Sequence, residues 1–380
     1  MEAEKTDHRF KILYAFAMIM IVSGHCDDGA IDLFYEWIPY MGTHLAILIF
    51  ASGYFYKDSA EEKPLAFIGK KAKHLLLPMY LWNLFYGVIV ALSHRAGFTI
   101  GGELTLRNLF LAPLYDGHQF SYNLAGWYVV PLFAAQVLYM SIRKLLSLPR
   151  KKSADGNGKQ TAAETVTVLV CLGAGILGLS LSILGYHEGW WLLPVRSLYF
   201  LAFYAIGVYY RRVLEKYDRL PNLVYFGCII AAQLLLLFFC HRMPIYVISW
   251  CDGFPEGPVV PYLTGMLGIA FWLRIARILE PGLKEDRGLR KIADHSYSIM
   301  LHQFAGFMFV KTIYAFLAKY TGHFADFDMV RYKTDLWYYY TPAKLPYYSL
   351  IFYLIAGIAL PVLLAEACGK IKSMRKSGQK

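Results

Sequence analysis

The chain has 380 residues, of which 57% are hydrophobic, 17% aromatic and only 17% charged, and its mean hydropathy is +0.39. An average soluble domain carries about 25% charged residues, so this composition excludes a disordered chain and argues against a water-soluble enzyme. A bilayer has room for 30 Tyr, 25 Phe and 8 Trp, and the net charge of +11 fits either nucleic acid or a membrane surface, depending on where the cations lie.

A transmembrane helix needs about 20 mostly apolar residues. In chain order the predicted spans are 10–25, 38–56, 75–93, 124–142, 164–185, 193–210, 222–240, 258–276, 295–318 and 347–367. The first is short, and the ninth carries His295, His302 and Lys311. The expected fold is an all-α, polytopic membrane helix bundle of about ten transmembrane helices with both termini cytoplasmic. The N-terminal MEAEKTDHRFK mixes acids and bases and has no small-x-small cleavage site, so the first apolar run reads as a retained span. With the N-terminus inside, 27 of the 38 Lys and Arg fall on the inner side and seven in outer loops, while Lys11, Arg196, Arg274 and Lys311 lie within spans. The two faces then carry +14 and −5. This positive-inside bias assigns the basic balance to a cytoplasmic membrane face and removes nucleic acid as a partner. A multi-pass protein of the plasma membrane, surrounded by lipid, is expected; the oligomeric state stays open.

Residues 143–163, RKLLSLPRKKSADGNGKQTAA, read as a mobile basic inner loop. Residues 319–346 read as a long outer loop whose WYYY run at 337–340 forms an interfacial aromatic patch. No inverted repeat of the transporter type is visible. Only 13 residues follow the last span, so a single domain over 1–380 with no appended soluble domain is expected. The six cysteines form no CxxC pair, which speaks against a disulfide framework or a zinc site, and no metal is expected. Cys26 and Cys251 are the one pair that could meet on one side of the membrane.

Ionisable groups inside spans are costly and therefore functional candidates. His25 closes the first span, and its imidazole can accept a proton from an alcohol near neutral pH. At about 100° per residue, Tyr14 returns to within about 20° of His25, and Lys11 to within about 40°. Lys11, Tyr14 and His25 thus share one helical stripe, with Met18 close to it; a helix-capping histidine is the alternative. His44 opens the second span on the same outer side, where it can line a cavity with His25 or serve as an interfacial hydrogen-bonding histidine. Ser52-Gly53 in that helix permits close helix packing. In GKKAKHLLLPMYLWN (69–83), Lys70, Lys71 and Lys73 sit where the third span begins. They can hold phosphates, or simply obey the topology rule. His302, in YSIMLHQF, can line a channel or satisfy a backbone carbonyl. Arg196 is placed to snorkel or pair near the outer edge, and Trp127 completes the set.

In order along nearly the whole chain, these segments resemble the acyltransferase-3 family of integral membrane proteins, and within it the fucose 4-O-acetylase-like branch. The family opens with a span ending in Gly-His, as in IVSGH. An H-x-P-x-F-F-F-x-S-G-Y-F pattern follows, matching His44 to Phe55, and then a basic segment into LLxPxY, matching Lys70 to Tyr80. A W-[YF]-x-x-P-L-F span matches Trp127 to Phe133, and a late S-x-x-x-[LI]-H matches Ser298 and His302. The chain departs from the pattern at Tyr14, where the family has Arg or Lys, and at Ala46, where it has Pro. Lys11, one turn below Tyr14, is the candidate to supply the missing charge.

The resemblance implies acyl transfer from cytoplasmic acyl-CoA, acetyl-CoA first among donors, to a hydroxyl of a sugar or glycan acceptor. Lys70, Lys71 and Lys73 would hold the CoA phosphates. His25 would act as general base or form a transient acyl-imidazole. His44 or Lys11 would orient it or stabilise the oxyanion. Trp127, His302 and Arg196 would contact substrate. A transporter or flippase for a glycan or lipid-linked intermediate is the competing expectation, and a catalytically silent relative, suggested by Tyr14, is a third.

Overall fold

Among the described residues, ten long helices carry most of the chain. They are α1 His8–Gly24, α2 His44–Tyr54, α3 Pro64–Arg95, α4 Ser121–Leu146, α5 Gly156–Ile183, α6 Gly189–Tyr217, α7 Asn222–Cys240, α8 Val260–Leu283, α9 Ser296–Thr321 and α10 Leu350–Ser377. The computed structural model describes residues 7–26, 43–146, 156–345 and 348–377. Eight of the helices, α3 to α10, are long and apolar enough to cross a membrane, and the chain is a multi-pass membrane protein.

α1 and α2 are shorter, with 17 and 11 residues. Residues 38–42 of the predicted second span lie outside the described residues. α1 packs on α2, α8, α9 and α10, and α2 packs on α6 and α8. A helix enclosed by protein need not cover the hydrocarbon thickness by itself. The α2–α6 crossing is close because it has glycine on both sides. A side chain at Gly53 would strike the Tyr204 carbonyl, and one at Gly207 the Phe50 carbonyl. The Ser52-Gly53 pair thus does what small residues do at membrane helix crossings.

The apolar runs mark only part of each helix. α3 begins at Pro64, eleven residues before the predicted start, so its lysines lie on the helix itself. A single π-helical turn, Ala72–Leu76, sits just ahead of Pro78, whose missing N–H breaks the regular ladder. α6, α8 and α10 also overrun at the basic end. The extra turns of α6 and α8 are polar and held by ion pairs such as Arg9–Glu215 at 2.9 Å and Arg277–Asp218 at 3.1 Å.

Three expectations are corrected. Residues 143–146 and 156–163 of the predicted loop are helical, because α4 runs to Leu146 and α5 starts at Gly156; residues 147–155 lie outside the described residues. Arg143 is buried, pairing with Glu164 at 2.5 Å and Glu61 at 3.0 Å, while Arg212 reaches the other Glu164 oxygen at 2.7 Å. Hydropathy registers these charges as loop; paired, they staple α4, α5 and α6.

In the outer loop, Tyr338, Tyr339 and Tyr340 are buried, and only Trp337 of the run is exposed. Tyr339 packs on Phe307 and Tyr353, and Tyr340 packs on Tyr314, so the run is a plug in the bundle and not an interfacial patch. Nor are Cys26 and Cys251 joined. Each buried thiol bonds within its own segment, to Val22 O and Ile248 O at 3.2 Å.

Candidate active site

His25 is the residue at which α1 stops. Its backbone leaves the helix at φ −96°, ψ −1°, with its N–H still bonded to the Val22 carbonyl at 3.2 Å. Its Nδ1 meets Gln303 Oε1 at 3.0 Å, and the Gln303 amide nitrogen donates to the Met300 carbonyl at 3.3 Å. With the amide so oriented, Nδ1 of His25 carries the proton and Nε2 is left as the acceptor. The Tyr339 hydroxyl donates to the His25 carbonyl at 2.6 Å. The Tyr339 ring lies beneath Lys311 Nζ, 4.3 Å from its centre, and Lys311 donates to the Leu336 carbonyl at 2.5 Å. Phe304 covers the imidazole at 5.1 Å between ring centres.

His25 and His44 line one cavity of about 90 Å³ together with Trp127, Tyr128, Tyr246 and Met300. A second cavity, of about 150 Å³, shares Leu48, Tyr128 and Met300 with the first and adds Tyr14, Met18 and Ser52. A third, of about 510 Å³, shares Tyr14 and Ser52 with the second and opens among Lys57, Lys63, Lys70 and Lys71. Shared lining residues therefore set the three cavities in a row, from a cationic mouth at the basic end of the bundle to the two histidines at the opposite end.

The stripe Tyr14, Met18 and His25 forms one side of this passage. Lys11 does not: it pairs with Asp294, and fourteen residues at 1.5 Å each put it about 21 Å from His25 along α1. It reaches neither His25 nor the position vacated by the family cation at Tyr14. Lys73, within the π turn, is exposed and lines none of the three cavities.

Arg196 is buried and does not snorkel, because it finds partners inside. Its guanidinium donates to the carbonyls of Asp116 (2.8 Å) and Ser249 and lies 4.8 Å from the Trp127 ring centre. It thereby holds one wall of the histidine cavity. His118 extends that wall, bonded to Asp116 at 2.9 Å and stacked on Trp250. Burial pulls His118 below the usual imidazole range, against the raising effect of its Asp116 hydrogen bond. His302 stands outside the passage. Its Nδ1 meets the Tyr86 hydroxyl at 2.8 Å and its ring packs on Trp82, so its partner is a side chain and not a carbonyl.

A family model described as an acyltransferase domain, of the acyltransferase-3 type, matches residues 8–366. The chain belongs to this acyltransferase family. No curated protein and no solved structure matches it. The match is to the family as a whole and singles out no branch within it.

For an acyltransferase, the arrangement offers an imidazole held by Gln303, a second imidazole lining the same cavity, and adjoining cavities that end at a cationic surface. Sequence reasoning missed Gln303, Tyr128, Tyr339, Lys57 and Lys63. Gln303 was findable as a buried amide next to His302. Lys311 was noticed only as a defect in an apolar run, although it anchors the segment that holds His25. Tyr339 gave no usable signal, since its partner is a backbone carbonyl more than 300 residues away in sequence.

Proposed function

We propose that this membrane acyltransferase moves an acyl group, acetyl first, from cytoplasmic acyl-CoA to a hydroxyl of a sugar in a cell-surface glycan at the plasma membrane. The observation that carries this reading is the row of three adjoining cavities from the lysine-lined mouth to His25 and His44. The phosphates of CoA suit Lys57, Lys63, Lys70 and Lys71, which are long, flexible cations at the positive-inside face. The uncharged arm suits the smaller middle cavity, whose mainly apolar walls include Met18, Leu48, Leu75, Leu132 and Met300. The small histidine cavity favours a short acyl group.

In this reading, Nε2 of His25 takes the proton from the acceptor hydroxyl as its oxygen attacks the thioester carbon. The new C–O bond forms, the C–S bond breaks, and the departing thiolate receives the proton from the imidazolium. General-base action of this kind contributes about 10²–10⁴-fold. His44, facing the same cavity, is the group placed to stabilise the oxyanion. Arg196 and Trp127 shape the acceptor side.

The test uses purified protein in lipid nanodiscs, labelled acetyl-CoA and a panel of cell-surface glycans. Label should move to glycan with wild type and not with His25→Ala, the variant remaining folded and inserted. Full transfer by His25→Ala would remove His25 from the mechanism. Translocation of glycan without any acyl donor would favour a transporter instead.

A further inference from the structure

Among the described residues, the buried atoms Gln119 Oε1, Tyr128 Oη, Gln136 Oε1 and Tyr262 Oη make no hydrogen bond. Only one of them, Tyr128 Oη, belongs to a residue that lines the passage. Tyr128 is 5% exposed, and its ring is packed on Phe200 at 5.0 Å, so the phenol is held while its hydroxyl is unsatisfied. It stands where the histidine cavity meets the middle cavity, which it shares with Tyr14. An orphaned buried hydroxyl is uncommon, because burying one without a partner costs free energy. One that lines a ligand path is explained if the ligand brings the partner.

We propose that Tyr128 is a positioning residue that donates a hydrogen bond to an amide carbonyl oxygen of the donor's arm as it passes from the middle cavity toward His25. This rests on the acyl-CoA reading above. An amide-bearing arm is the part of that donor with a strong neutral acceptor to offer in an apolar passage. The bond anchors the arm in the passage with the same strength before and during transfer.

Tyr128→Phe removes the hydroxyl and keeps the ring. The unliganded variant in nanodiscs should melt no lower than wild type, because no protein partner is lost. Its affinity for acetyl-CoA and for free CoA should fall equally, about tenfold, the equivalent of one neutral hydrogen bond. The KM for acetyl-CoA should rise by the same factor with kcat nearly unchanged, as for an interaction present in both ground and transition states. A lower melting temperature without ligand would show a structural role and overturn the proposal. So would unchanged affinity for both ligands, or a loss confined to acetyl-CoA, which would place the bond on the thioester. If wild type binds neither CoA nor acetyl-CoA, the donor reading itself falls and takes this proposal with it. If wild type binds both and the variant binds equally well, only the role of Tyr128 falls.

Discussion

The phenol of Tyr339 is bonded to the backbone carbonyl of His25, 2.6 Å away, and so ties the outer loop to the end of α1. Lys311 holds the same segment twice, through the Leu336 carbonyl and over the Tyr339 ring. Tyr339→Phe keeps the aromatic packing and loses the bond. One neutral hydrogen bond is worth about 1 kcal/mol, so kcat should drop about five- to tenfold with the donor KM unchanged, measured by steady-state release of free CoA. Unaltered kcat would show that His25 keeps its place without this tether.

Gln303 sets the His25 tautomer through the 3.0 Å bond to Nδ1. Gln303→Leu removes that orientation and should lower kcat by about tenfold or more. Gln303→Glu places a carboxylate against the ring and favours the imidazolium. Because the base works unprotonated, the acid limb of the pH–rate profile should then move to higher pH. A profile that moves the other way would exclude His25 as the base.

The cationic mouth separates the lysines by position. Lys63→Ala, Lys70→Ala and Lys71→Ala should each raise the KM for acetyl-CoA about fivefold, the equivalent of about 1 kcal/mol per cation at a surface, and the effect should shrink in high salt. Lys73→Ala, whose side chain lies outside the cavity, should change it by less than about twofold. An equal response at all four positions would place phosphate binding outside this cavity.

Lys11 pairs with Asp294 in a half-exposed contact far from His25. Such pairs contribute about 0–1 kcal/mol, so Lys11→Ala should leave kcat intact and lower thermal stability little. A large loss of kcat would restore Lys11 to the catalytic stripe.

Glu164 is buried between Arg143 and Arg212. Glu164→Gln removes the buried carboxylate the two guanidinium groups share, leaving Arg143 to Glu61 and Asp58 and Arg212 to Asp58, and should destabilise the protein by about 3 kcal/mol, read as a lower melting temperature in nanodiscs. An unchanged melting temperature would show that the remaining carboxylates, Glu61 and Asp58, hold the cluster alone.

The bundle was legible because hydropathy and charge both report on the bilayer: α7 was found to the residue at 222–240, and the other helices differ mainly where polar turns continue past the apolar run. The pairing of His25 with His44 in one cavity was legible because both sit at the same end of adjacent helices. Its support was not. Gln303 and Tyr339 reach His25 across more than 270 residues of sequence, and Arg196 is satisfied by carbonyls of two distant loops. Side-chain to backbone bonds leave no residue pattern to read. Arg143 was misread for a related reason: a charge looks the same in a sequence whether it is solvated or locked to Glu164.

The three cavities shrink from about 510 to 150 to 90 Å³ toward the histidines. With CoA as donor, that taper divides the molecule by polarity: its phosphates stay at the wide, cationic end, and only a neutral thread advances. In that reading no ion would be drawn through the low-dielectric interior, and delivering an acyl group to the far side of the bilayer would need neither a membrane potential nor nucleotide hydrolysis, the donor's thioester supplying the driving force.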